Sequence, residues 1–166
     1  MQLIEATAKH IPVIQSIADV AWPHTFRELL SPEQIKYMMD MMYSTDALCE
    51  QINRLNHNYL IVEDDGKHIA YTAYEIGYDN QPQTKIHKIY ILPTAQKKGI
   101  GKLLIEAVAE KAKKVGQDRV LLNVNKHNAN AISFYQHVGF EIIRSEENEI
   151  GDGYIMDDYV LSLPIR

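Results

Sequence analysis

Residues 89 to 102 read Ile89-Tyr90-Ile91-Leu92-Pro93-Thr94-Ala95-Gln96-Lys97-Lys98-Gly99-Ile100-Gly101-Lys102. An alternating apolar run stops at a proline. A turn with two glycines follows, and then a helix start. Such a turn aims several unbonded backbone N–H groups and a positive dipole end at one point, where an anion can sit. Glycine lets a bulky phosphate approach the backbone closely, and Lys97, Lys98 and Lys102 add charge. Two phosphate loops fail on spacing. A P-loop needs a glycine where Gln96 stands and a hydroxyl residue where Leu103 stands. A dinucleotide loop needs a third small residue where Leu104 stands. On these residues alone, an ordinary strand-to-helix turn with a solvated lysine pair competes with the anion site.

A second segment narrows the choice. The run Asn128-Ala129-Asn130-Ala131-Ile132-Ser133-Phe134-Tyr135-Gln136-His137-Val138-Gly139-Phe140 forms a helix pattern stopped by glycine. Tyr135 carries a phenol that could donate a proton. Its helical neighbours Ala131, Ile132 and Val138 are apolar, which by itself favours a packed tyrosine. Together the two segments resemble the GNAT superfamily of acetyl-CoA-dependent N-acetyltransferases. The first is similar to its Gln/Arg-x-x-Gly-x-Gly pyrophosphate loop. The second is similar to its Asn-x-x-Ala-x-x-x-Tyr-x-x-x-Gly-Phe helix, and Ile89 to Pro93 resembles its Leu-Tyr-Val-x-Pro strand. The resemblance spans roughly residues 58–163 closely and the N-terminal third more loosely. Thr25-Phe26, Ser31-Pro32-Glu33 and Tyr154 through Leu161 further resemble bacterial spermidine/spermine N-acetyltransferases.

The resemblance implies direct attack of a primary amine on acetyl-CoA in a ternary complex, with no acetyl-enzyme. It implies that Ile89, Tyr90 and Ile91 flank the pantetheine arm, with the Ile91 N–H on the acetyl carbonyl. Gln96, Lys97, Lys98, Gly99, Ile100, Gly101 and Lys102 would hold the pyrophosphate, Asn128 would reach the coenzyme arm, and Tyr135 would protonate the departing thiolate. An alkyl amine is almost wholly protonated at neutral pH, so a base is also required. Several family members carry a Glu where this chain has Lys85, and a charged lysine cannot accept a proton. His87, two residues along the same strand face, is the nearest replacement. Glu75 and a water chain are alternatives. The acceptor expected is a small cation such as spermidine or spermine. The alternatives are a protein N-terminal or lysine acetyltransferase and a non-catalytic acyl-CoA-binding regulator.

These residues need elements to position them. The spacing predicts a strand at 2–7, then a helix from Pro12 with Val13, Ile14, Ile17, Ala18 and Ala21 inward. A capped helix follows from Ser31-Pro32, with Ile35, Met38, Met39 and Met42 inward. A further helix from about Asp46 carries Leu48, Ile52 and Leu55. Strands at Tyr59–Glu63 and His68–Ile76 flank the turn signal Asp64-Asp65-Gly66-Lys67. Further strands are expected at Ile86–Leu92, Val120–Val124, Phe140–Ile143 and Tyr154–Leu163, with helices at about Gly101–Val115 and Asn128–Val138. This is an α/β class with an α+β mixed sheet, mostly antiparallel and flanked by helices, in one domain over residues 1–166.

Composition bounds the rest. The 166 residues carry a net charge of -5, which disfavours a duplex nucleic-acid partner and suits a cationic substrate. No run approaches the length of a membrane helix, and the N-terminus does not read as a secretory signal. The single cysteine, Cys49, excludes an internal disulfide and fits a reducing, cytoplasmic setting. The histidines show no ligand spacing, so no metal is expected. The Met38, Met39, Met41, Met42 cluster reads as core and groove lining. A homodimer is the oligomer expected.

Overall fold

A computed structural model describes residues 1–165. The chain divides into two compact units, one of Met1–Glu75 with Lys88–Ala107, the other of Ile76–His87 with residues 108–165.

In the first unit, β1 (Gln2–Glu5) pairs antiparallel with β2 (Asn58–Asp64), and β2 with β3 (Lys67–Ile76). The β2–β3 turn places Asp65 at φ 50° and Gly66 at φ 77°. That left-handed pair matches the twist of the strands it joins. Tyr59, Leu60, Ile61 and Val62 are all buried, as in a strand covered on both faces. Helix α1 (Ile11–Phe26) buries Ile14, Ile17, Ala18, Ala21, Trp22 and Phe26. Helix α2 (Pro32–Tyr43) begins as the sequence predicts, with the Ser31 hydroxyl accepting from the Gln34 N–H at 3.1 Å. Helix α3 (Thr45–Asn53) is capped the same way by Ser44 on Ala47, at 3.1 Å. It buries Leu48 and Gln51. Leu55, expected inward, lies past the helix end and is 46% exposed.

Strand β4 (Gln83–Ile91) starts in the second unit and ends in the first. Helix α4 (Ile100–Lys114) runs the other way. The second unit continues with β5 (Arg119–Asn125), α5 (Ala129–Val138), β6 (Glu141–Gly151) and β7 (Tyr154–Pro164). Strand order is β1-β2-β3-β4 in the first unit and β4-β5-β7-β6 in the second. The β4–β5 pair is parallel, while β5–β7 and β6–β7 are antiparallel, so the predicted mixed sheet is present. The first strand ends two residues sooner than expected, and two boundaries differ by three residues or more. Strand β4 begins three residues early because Gln83, Thr84 and Lys85 are buried despite being polar. Strand β6 is 11 residues long and not four, because its outer half carries charges on both faces and shows no apolar alternation. Among the described residues, no helix is long and apolar enough to cross a membrane.

The core of the first unit contains a charge-capable group. Lys88, 6% exposed, donates to Tyr59 Oη at 2.7 Å, Gln51 Oε1 at 2.8 Å and the Met42 carbonyl at 3.4 Å. The Tyr43 ring centroid lies 4.3 Å from its nitrogen. The Tyr43 and Tyr71 hydroxyls bond each other at 2.5 Å, and burial raises all three tyrosine hydroxyls well above their ordinary range. Burial lowers the Lys88 amine from 10.5 to about 7. Between those two pH values the unfolded chain holds a proton that the folded chain does not, so stability rises with pH across that window. The slope due to this one group approaches about 1.4 kcal/mol per pH unit. Lys88→Met keeps the stem and removes the titration. Urea unfolding of both proteins between pH 7 and 10 should show a steeper rise for the wild type, and parallel slopes would exclude this role.

Candidate functional site

The glycine turn lies in the first unit. After a 3-10 turn at Pro93–Ala95, Lys97 and Gly99 both adopt left-handed backbone, at φ 67° and 76°. Helix α4 then starts at Ile100, and the Leu103 N–H bonds the Gly99 carbonyl at 3.0 Å. The N–H groups of Ile100, Gly101 and Lys102 are therefore those that a helix leaves unbonded at its first turn. No acidic residue occupies that turn. Lys97 and Lys98 are exposed, and Lys102 lies 3.8 Å from Glu106 on the helix surface. Ile100 is buried and anchors the helix start. A Cβ added at Gly99 would meet nothing within 4 Å, so there is open space where an anion would approach. The residues fit a pyrophosphate: unbonded N–H groups and a positive dipole end lie next to Lys97 and Lys98, with no acidic residue in the first turn of the helix.

The end of β4 carries Ile89, Tyr90 and Ile91, all half-buried. Tyr90 packs against Trp22 at 5.8 Å and Tyr71 at 5.9 Å between ring centroids. The parallel ladder of β4 on β5 covers only Gln83 to Ile86, whereas β4 continues to Ile91. Glu75 lies 3.7 Å from His57 Nε2.

In the second unit, Asn128 caps α5, its Oδ1 accepting from the Ala131 N–H at 3.3 Å. Tyr135 is half-buried between Phe134 and Phe140, at 5.4 and 5.7 Å between centroids. Burial raises its phenol above the ordinary value, which keeps the proton on the oxygen at neutral pH. Helix α5 ends at Gly139, at φ 122°, where a Cβ would sit 3.2 Å from Leu163 Cδ1. His87 stands edge-on to Tyr78 at 5.7 Å. Lys85 is 7% exposed, lies 5.0 Å from the Tyr78 ring and donates to Asn123 Oδ1.

Asn123 links further polar groups. Its Nδ2 donates to Glu146 Oε2 at 3.3 Å and to Asp158 Oδ2 at 3.4 Å. Asp158 is 7% exposed and its Oδ1 has no hydrogen-bond partner among the described residues. Burial pushes its carboxyl up, against the Asn123 hydrogen bond and the Lys85 charge. Burial also pushes Glu146 up, but hydrogen bonds from Arg144, Asn148 and Asn123 outweigh it and hold that carboxyl below its ordinary value.

The glycine turn and the Asn128 cap lie where the sequence puts them, whereas the contacts of Lys88, Asn123 and Glu146 have no counterpart in the sequence reading. A signal exists for Lys88. It shares a β4 face with Ile86 and Tyr90, where an unpaired lysine would be costly. For Asn123 and Glu146 no local signal exists, because their partners lie on other strands.

Residues 21–140 match the model described as the acetyltransferase (GNAT) family. The chain is 23% identical over 157 residues to an uncharacterised N-acetyltransferase of Lactobacillus delbrueckii subsp. lactis, covering 92% of this chain and 91% of that protein. It is 24% identical over 161 residues to a spermidine N(1)-acetyltransferase of Thermoplasma acidophilum, covering 95% and 96%. Its fold is similar to the crystal structure of the PaiA N-acetyltransferase of Thermoplasma acidophilum in complex with coenzyme A. The TM-score is 0.82, with 22% identity and 98% of each chain covered.

The glycine turn is tested by Gly99→Asp. The substitution puts a side chain on left-handed backbone and a negative charge at the anion point. Calorimetric titration with acetyl-CoA should show no binding to the variant, with a thermal melt confirming that it folds. Unchanged affinity would remove the turn from the coenzyme site.

Proposed function

The chain belongs to the acetyltransferase (GNAT) family, and from that premise we propose that it transfers an acetyl group from acetyl-CoA to a primary amine of a small polycation such as spermidine or spermine. It does so as a single acetyltransferase domain over residues 1–166. The observation that carries the transferase half is the α4 start, with its unbonded N–H groups, left-handed Lys97 and Gly99, and no acidic residue. The polycation half is supported by the full-length similarity to a spermidine acetyltransferase and by the net charge of -5.

The roles follow from the chemistry. Residues 96–102 hold the pyrophosphate through backbone N–H groups, with Lys97, Lys98 and Lys102 at its edge. Asn128 Nδ2 donates to the coenzyme arm. The β4 end, past its last pair with β5, offers the Ile91 N–H to the acetyl carbonyl. That N–H stabilises the negative oxygen formed when the amine attacks. The attacking nitrogen must first lose a proton, and His87 is the acceptor. A neutral imidazole accepts a proton, and His87 stands on the same strand face as Lys85. Tyr135, kept protonated by burial, returns a proton to the thiolate that leaves.

Two measurements test this reading. Acetyl-CoA-dependent thiol release should be faster, per kcat/KM, with spermidine or spermine than with amino acids, aminoglycosides or an N-terminal peptide. A peptide or amino acid well above both polyamines would overturn the acceptor but leave the transferase. Tyr135→Phe removes only the hydroxyl, so kcat should fall by roughly 10²–10⁴-fold with little change in coenzyme affinity. If kcat stays within about twofold while chemistry limits the rate, Tyr135 is a packing residue.

A further inference from the structure

The parallel ladder of β4 on β5 stops at Ile86, before the strand reaches Ile91. Further along, two bonds to β3 hold the strand. The Thr72 hydroxyl donates to the Lys88 carbonyl at 2.7 Å, and the Leu92 N–H donates to the Ile69 carbonyl at 2.9 Å. They lie at either end of Ile89–Ile91, and neither ties the strand to α2 or α3. The Lys88 side chain does, through Met42 on α2 and Gln51 on α3, and it reaches Tyr59 on β2 as well.

The cage around that nitrogen closes fully in only one protonation state. The Met42 carbonyl accepts from Gln51 Nε2 at 2.9 Å, which turns Gln51 Oε1 toward Lys88 and Tyr59. An ammonium has three N–H donors. They meet the Met42 carbonyl, Gln51 Oε1 and the Tyr59 oxygen, and the Tyr59 hydrogen goes to Gln51 Oε1 at 2.6 Å. A neutral amine has two donors and a lone pair. The carbonyl and Oε1 only accept, so Tyr59 must turn its hydrogen toward Lys88 and give up Gln51. One hydrogen bond is lost, and the network slackens. The titratable groups in contact with the amine are tyrosines: Tyr43 on α2, its ring centroid at 4.3 Å, and Tyr59 on β2. Tyr71 on β3 packs against both rings, and Tyr90 on β4 against Tyr71. Burial raises the hydroxyls of Tyr43, Tyr59 and Tyr71, so these three keep their protons at neutral pH, where the amine does titrate.

We infer that Lys88 is a positioning residue for acetyl transfer: its charged amine fixes the end of β4 against α2, α3 and β2, and so fixes where the Ile91 N–H points. This rests on the acetyltransferase reading, in which that N–H stabilises the oxygen formed as the amine attacks. Lys88 itself touches neither coenzyme nor acceptor in that reading and acts through the strand. A donor displaced by about 1 Å costs up to roughly 10²-fold in rate. The pyrophosphate turn follows Pro93 and takes no part in the cage, so coenzyme binding and kcat respond separately. Two effects of the charge run in opposite directions with pH. Burial makes the charged amine costly to fold, so Lys88 contributes less stability in acid. The same charge closes the cage, so Lys88 positions Ile91 better in acid.

The test measures acetyl-CoA-dependent thiol release by the full chain, with whichever amine of a panel reacts fastest. Rates are counted per coenzyme-binding site, from calorimetric titration with coenzyme A, so that unfolded protein does not enter them. Lys88→Met should lower kcat by roughly 10- to 100-fold, with coenzyme affinity and both KM values within about threefold. The ratio of wild-type to variant kcat should be larger on the acid side of neutrality than on the alkaline side. A role in stability alone gives the opposite trend in thermal melts and leaves that ratio flat. If Lys88→Met does not fold, Tyr59→Phe decides: it keeps the ring, removes the oxygen that accepts from Lys88, and should show its larger kcat loss in acid. A kcat within about twofold of wild type, a loss carried by KM, or a ratio that does not change with pH overturns the inference. With wild type active, those results leave the transferase reading standing. Silence of wild type toward every amine overturns the transferase reading and this inference with it.

Discussion

A lysine shut away from water must give its N–H groups acceptors, and Lys88 finds them on three elements of the first unit. Met42 O lies at the end of α2, Gln51 on α3 and Tyr59 on β2, so one nitrogen ties all three to β4. The last carbonyls of a helix need donors from outside it. Those of α2 receive them from Lys88 and Gln51 at Met42 and from Gln15 at Tyr43. The three residues after Lys88 are Ile89, Tyr90 and Ile91, the stretch proposed to hold the acetyl group. Its placement thus depends on a polar knot inside an aromatic cluster, and apolar packing alone would not fix the strand's register as tightly.

What the sequence makes legible is mostly local. Ser31 before Pro32 gives the start of α2 because cap, proline and recipient N–H lie within four residues. Asn128 and Gly139 bracket α5 for the same reason. The glycine turn is readable because its chemistry is backbone chemistry, set by two or three φ angles. Long-range partners are not readable. Lys88 meets acceptors 29 to 46 residues away, and Lys85 meets Asn123 across 38. The same residue types at the same spacing would read as solvated surface without those partners. Strand β6 illustrates the limit, since a strand with both faces exposed offers no alternation to detect.

The second unit handles polarity differently from the first. In the first unit the buried lysine is satisfied and its cage is complete. In the second, Lys85, Asn123, Glu146 and Asp158 form a chain of donors and acceptors that ends on two carboxylates. A fully satisfied network of this kind fixes the arrangement of the elements that meet in it.

Strand β6 closes one side of the second unit's strand order with 11 residues and, among the described residues, no partner beyond β7. A long free edge invites another chain to add a strand, and Ile142 and Ile143 on it are 41% and 40% exposed. Glu146, Glu147 and Glu149 lie farther along the same edge, so a second β6 laid alongside would bring carboxylates together. The negative charge of this hairpin guards the edge against self-association. Protonating the carboxylates in acid, or neutralising them with excess polycation, removes that guard. The hairpin's solubility in this way follows the pH and the cations around it.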